Sequence, residues 1–157
     1  MAQYQNMNQT AQTTIKGRVA NIPNPATISC QVVGTNTIQL YPGSAVYLVA
    51  GTANMIQVDK ASPTQNIFGF VIWNPKKPNG WGPNEKVEIA LPGSVMEMEA
   101  YTSFNRGSIL YQITTGDDAD MVTNSSAGGA TPIGIALDQP TGVDQLCRVY
   151  IQIGLTV

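Results

Sequence analysis

GSAVYLV at residues 43–49 comes back as GSILYQI at residues 107–113. Each run opens on Gly-Ser and then alternates its apolar side chains, the mark of a strand with one buried face. The echo continues in order. Residues 55–58 match 119–122 at the same offset of 64, and residues 68–72 match 133–137 at 65, with Pro75 and Pro140 keeping step. Residues 86–91 then match 148–153 at 62, followed by Gly93 and Gly154. Four strand-like blocks in one order, drifting by two or three residues, imply an internal duplication. A four-strand unit buries only one face. The two halves, about 43–93 and 107–154, are therefore expected to close on each other into one small β-barrel.

The rest of the chain agrees with an all-β fold. Gly, Pro, Asn and Asp interrupt short alternating runs every eight to twelve residues. Strands are expected at 14–19, 27–33, 37–41, 45–49, 55–59, 67–73, 86–91, 95–101, 108–113, 120–123, 133–138 and 146–153. Gly69 and Gly134 fall mid-strand at equivalent places, which predicts a bulge or a close approach of backbones. With 157 residues, one domain is expected, comprising an arm and linker at 1–26 and the barrel at 27–157.

Composition excludes much chemistry. Hydrophobic residues make up 43% and charged ones only 11%, so the surface must be dressed in Asn, Gln, Thr, Ser and Gly. A net charge of −2 without a basic block argues against direct nucleic-acid binding, which rests on Lys and Arg contacts. The chain has no histidine, which removes His-dependent triads, His metal sites and imidazole switches. Cys30 and Cys147 lie in apolar, strand-like runs, where buried free thiols or a disulfide both fit. The polar start MAQYQNMNQT is unlike a signal peptide, and no apolar run has the length of a membrane span. A soluble protein without membrane contact is expected.

Three places invite closer inspection. In VEIALPGSVMEMEA, residues 87–100, Glu97 and Glu99 share a strand face about 6.5 Å apart. Glycosidase carboxylates normally come from different strands, so these two are expected to be exposed carboxylates opposite Met96, Met98 and Ala100. The whole stretch then marks the junction of the two halves. In residues 116–120, GDDAD, alternate carboxylates could ligate calcium, yet 51–54 takes the equivalent place, and both are expected to be turns. No phosphate loop, nucleophile elbow or metal-spaced cluster occurs, so no catalytic, cofactor-binding or metal-binding residue is assigned.

The halves differ where the first carries KKPNGWGPNE, residues 76–85. Trp is costly to leave bare in water, which leaves two readings for this Trp-Pro-Gly loop. Trp73, Lys76, Lys77 and Trp81 form a partner-contact surface, or the indoles fold back over a barrel mouth. The N-terminal residues likewise form either an arm that orders on a partner or a frayed terminus. The arm's candidate contacts are Gln3, Tyr4, Thr14, Ile15, Lys16, Gly17, Arg18 and Val19.

The succession of 43–48, 55–59, 67–72, 87–95, 106–111, 132–137 and 148–151 resembles the bacteriophage head decoration, or capsid cement, proteins over about 115 residues. That resemblance implies a small β-barrel or tulip-like domain on the outside of an expanded head. It implies a homotrimer clamping neighbouring copies of the major capsid protein, assembled in the host cytoplasm, with an N-terminal segment that can add a strand to a capsid sheet. No cofactor is implied. Two other classes share the composition: a tail- or fibre-associated virion β-protein, and a carbohydrate-binding β-sandwich stacking sugars on Trp73 and Trp81.

Overall fold

The computed structural model describes residues 18–19, 26–36, 38–51, 54–63, 65–116, 119–126 and 131–154. Every regular element among them is a strand: β1 Arg18–Val19, β2 Thr27–Val32, β3 Ala45–Leu48, β4 Gln57–Lys60, β5 Gly69–Val71 and β6 Lys86–Ala90. These are followed by β7 Val95–Ala100, β8 Ile109–Gln112, β9 Val122–Thr123, β10 Pro132–Ala136 and β11 Gln145–Ile151. The all-β class and the two similar halves follow the sequence. Thr37 lies outside the described residues, and the expected strand around it reduces to one bridge between Leu40 and Trp81.

Each half has five strands rather than four, and each closes on itself. The first barrel runs β2-β4-β3-β5-β6. Its ladders are antiparallel except β2–β4, which is parallel through Gln31↔Gln57 and Val32↔Val58. The second repeats this strand for strand as β7-β9-β8-β10-β11, closed by the parallel pair Ala100↔Val122. The extra members, β2 and β7, read TISCQV and VMEMEA. They share no residue position for position, so they leave no trace in the sequence repeat. A fifth strand lets one unit satisfy its own edges, which is why the halves need not join into a single barrel.

Register fixes the equivalences. Leu48 pairs with Val58 as Gln112 pairs with Val122, a shift of 64. Ala45 pairs with Phe70 and Phe70 with Ala90; Ile109 pairs with Ile135 and Ile135 with Tyr150. The last strand is thus shifted by 60, from Ala90 to Tyr150, and not by the 62 that its sequence suggests. The slip is two residues, so inward and outward faces are kept.

Gly69 and Gly134 do mark close approaches. A Cβ on Gly69 would stand 2.5 Å from the Ala90 oxygen, and one on Gly134 would collide with the Tyr150 oxygen. A register irregularity lies beside Gly134. At the turn into β3 and β8, Gly43 (φ 87°) and Gly107 (φ 84°) take the left-handed conformation that a side chain disfavours.

Two cores result. Cys30, Val32, Leu40, Val46, Val58, Val71, Trp81, Val87 and Ile89 fill the first barrel. The second barrel's cluster, centred on Met96, Met98, Leu110, Ile133, Val149 and Ile151, also takes in Ala45, Ala61, Phe70 and Ala90 from the first. Those four therefore form the outer face on which the second barrel rests. At this contact Gln112 accepts from the Ala45 amide (3.0 Å) and donates to the Gly43 oxygen (2.7 Å). Buried Asp120 accepts from the Ser44 hydroxyl (2.9 Å) and the Lys60 ammonium (3.2 Å). Residues 91–94 turn from β6 into β7, so VEIALPGSVMEMEA is the junction between barrels, as its sequence suggests.

Candidate functional site

The loop that holds Trp73 and Trp81 is a built structure. The Lys77 amide donates to the Asn74 oxygen (3.0 Å), Gly80 to Lys77 (3.1 Å), and Gly82 to the Glu85 carboxylate (2.8 Å). The Lys77 ammonium pairs with Glu85, and this hydrogen bond, ahead of the one from Gly82, holds the Glu85 carboxyl below its ordinary range. Trp81 and Leu40 exchange backbone hydrogen bonds of 2.9 and 3.0 Å. That pairing draws the indole inward, where it is 2% exposed among the first barrel's core side chains.

Trp81 is therefore a core residue and not a contact residue. The alternative that the indole folds back is the one realised, because burying so large an apolar surface outweighs leaving it at a loop tip. Trp73 is half-buried, Lys76 is exposed, and Lys77 is occupied by Glu85. A sugar platform built on both indoles loses one of its two rings.

The arm's candidates divide differently. Gln3, Tyr4, Thr14, Ile15, Lys16 and Gly17 lie outside the described residues. Arg18 and Val19 form β1, paired antiparallel with Glu97 and Met96 of the same chain. Because β11 holds one edge of β7 along Val95–Ala100, β1 takes the other edge, ahead of the short β7–β9 contact. The end of the arm thus completes the second barrel's seam.

The glutamates of β7 are corrected by the same pairing. Glu97 is only 9% exposed, not open to water, since β7 is flanked by β1 on one edge and by β11, with Arg148 in register, on the other. Glu99 is half-buried. Arg148 grips Asp138 with both ends of its guanidinium (2.9 and 2.7 Å). Its pKa is raised by Asp138 first and by Glu97 in addition, while Asp138 is held below the carboxylate range chiefly by Arg148. Such fork-to-fork pairs fix geometry as well as charge. Here the result is a cross-strand charge ladder rather than an acid–base pair.

Asp120, from the GDDAD stretch, is spent on Ser44 and Lys60 between the barrels, and Asp117 and Asp118 lie outside the described residues. Among the described residues no three His, Cys, Asp or Glu side chains gather as metal ligands. Cys30 and Cys147 are both free and buried. Burial, with a smaller push from Glu88 and Asp138 respectively, raises their thiols to about 11 and about 12.

Exposed apolar side chains that the sequence did not single out include Ile38, Tyr41, Leu48, Ile56 and Tyr150. A groove of about 410 Å³ runs beside Leu48 between Tyr47 and Phe68. Alternation alone marks such residues as apolar but gives no reason to place them outside.

No family model matches this chain, and no curated protein is similar to it in sequence. In fold it is similar to the crystal structure of the head fibre gp8.5 N base of bacteriophage phi29. The TM-score is 0.51 at 12% identity, covering 85% of this chain and 100% of that one.

Proposed function

We propose that this chain is a structural protein of a bacteriophage virion, one that binds the outer face of the head and stabilises the expanded shell by clamping neighbouring capsid subunits. The observation that carries the proposal is the fold shared with the whole length of a phage head fibre base. It joins the sequence resemblance to head decoration proteins. Low charge and a surface of uncharged polar groups suit many copies packed side by side, where avidity multiplies weak contacts. On this proposal the protein holds shape and turns over no substrate.

The N-terminal residues supply the grip. Residues 18–19 anchor the arm to the second barrel, which leaves Gln3, Tyr4, Thr14, Ile15, Lys16 and Gly17 for the major capsid protein, with Trp73 and Lys76 as a second surface. Copies associate as trimers over threefold sites. A base that carries a fibre on the head is the second form of the proposal, favoured by the head fibre neighbour.

Co-sedimentation with empty expanded heads tests it. The full chain should pellet with heads at saturating, stoichiometric amounts, and a variant lacking residues 1–17 should remain folded but stay in the supernatant. Failure of the full chain to bind heads sinks the proposal. Undiminished binding of the truncation removes the arm from it.

A further inference from the structure

The duplication places two equivalent surfaces in different circumstances. In the first barrel the outward row Ala45–Phe70–Ala90 is buried beneath the second barrel. In the second barrel the same row reads Ile109–Ile135–Tyr150. Its flanking members are bulkier, yet Ile109 and Ile135 are only half-buried and Tyr150 is 38% exposed. One covered row has an uncovered twin.

The other side of the contact has a twin as well. The second barrel meets the first through Gln112 and Asp120, at the mouth where β8 ends and β9 begins. Their equivalents at the first barrel's mouth, 64 residues earlier, are Leu48 and Ile56. These are 49% and 43% exposed. Polar groups occupy the mouth that is docked within the chain, and aliphatic groups occupy the mouth left open. Isolated exposed apolar residues are ordinary; an apolar mouth and an apolar row at the two ends of one repeated contact are a matched pair.

We infer that a second copy of this chain docks head-to-tail, the Leu48–Ile56 mouth of its first barrel seated on the Ile109–Ile135–Tyr150 row of its neighbour, repeating between copies the contact that joins barrels within one. Inside the chain Gln112 and Asp120 bond to the strand end at Gly43, Ser44 and Ala45 while Phe70 and Ala90 join the second barrel's core, so a barrel of this shape fits such a row. Apolar side chains replace the internal polar set because a contact between separate chains gains from burying aliphatic area. A net charge of −2 per copy opposes association little. The contact is heterologous, using different surfaces on its two sides, so repetition closes a ring or extends a filament. This contact between copies needs no capsid to form.

Sedimentation velocity on the full chain over a wide concentration range tests it. The wild type should sediment as an oligomer, and two variants should be folded monomers: mouth variant Leu48→Asp/Ile56→Asp and row variant Ile135→Asp/Tyr150→Asp. Tyr150→Asp alone, at the most exposed member of the row, serves if the double row variant loses its strand signature in circular dichroism, and should weaken association at least tenfold. Mixing the mouth and row variants is decisive, since one intact row then meets one intact mouth. The mixture should give a species of two copies that grows no further. A wild type that stays monomeric, or a mixture no heavier than its parts, overturns the inference.

Discussion

Phe70 gives the sharpest check on how the barrels are joined. Its ring projects from the outside of the first barrel, where a lone barrel would expose it, yet it is fully buried in the second barrel's cluster. Burying a Phe side chain is worth about 1.5–3 kcal/mol. Phe→Ala within a rigid contact adds a cavity term, for a total of about 3–5 kcal/mol. With a urea dependence of about 2 kcal/mol per M, Phe70→Ala should lower the unfolding midpoint by about 2 M. Its equivalent Ile135→Ala, on the half-buried row, should cost less than about 1 kcal/mol at concentrations where copies are separate. Urea titrations followed by circular dichroism and by Trp73 and Trp81 fluorescence read both. If Phe70→Ala unfolds within about 0.5 kcal/mol of the wild type, the barrels do not share a core.

Trp81→Ala should lose about 3–5 kcal/mol as a core truncation, whereas Trp73→Ala should cost less than half of that; equal losses in denaturant titration would contradict the assignment of Trp81 to the core. Cys30 and Cys147 should react with a thiol reagent at pH 8 only as fast as the chain unfolds, because both are buried and their thiols sit near 11 and 12. Their folded pKa values are raised, so their contribution to stability is whole below the unfolded value of about 8.5 and is lost as pH rises through about 11 and about 12; Cys→Ala variants should flatten that alkaline limb in pH-dependent melts. Asp138 shifts the other way, so its pairing with Arg148 supports the fold above pH 4 and is lost as pH falls through its lowered folded value. Asp138→Asn should remove that part of the acid limb, and an unchanged acid profile would show that the pair contributes nothing.

The repeat was legible where glycines and alternating faces recur together, in the turns before β3 and β8 and within β5 and β10. It was illegible at β2 and β7, whose only shared property is alternation. Missing them changed the architecture expected, because four strands leave edges that five can close. Which apolar outward residues would be covered was also hidden. Ala45, Phe70 and Ala90 look no more buried in sequence than Ile109, Ile135 and Tyr150, and only the second barrel's position separates them. Trp81 could be read either way until its backbone bridge to Leu40 decided the matter. Glu97 looked exposed because a single strand shows neither of its neighbours, and here β1 and β11 flank it on both edges, with Arg148 beside it on β11.

The parallel closures bear on the order in which a growing chain can fold. In each barrel the first strand lies between the third and the fifth, so β2 waits for β6 and β7 waits for β11 before either ring is shut. The first barrel has all its partners once Ala90 has been synthesised, and it then carries a bare Phe70 until the second barrel arrives. Residues 18–19 wait longer still: made before every other described strand, they have no seat until Met96 and Glu97 emerge. Nascent chains halted before β7 should therefore protect the described strands of 27–90 from protease and leave 18–19 open to it, so that the earliest described strand is among the last parts to settle.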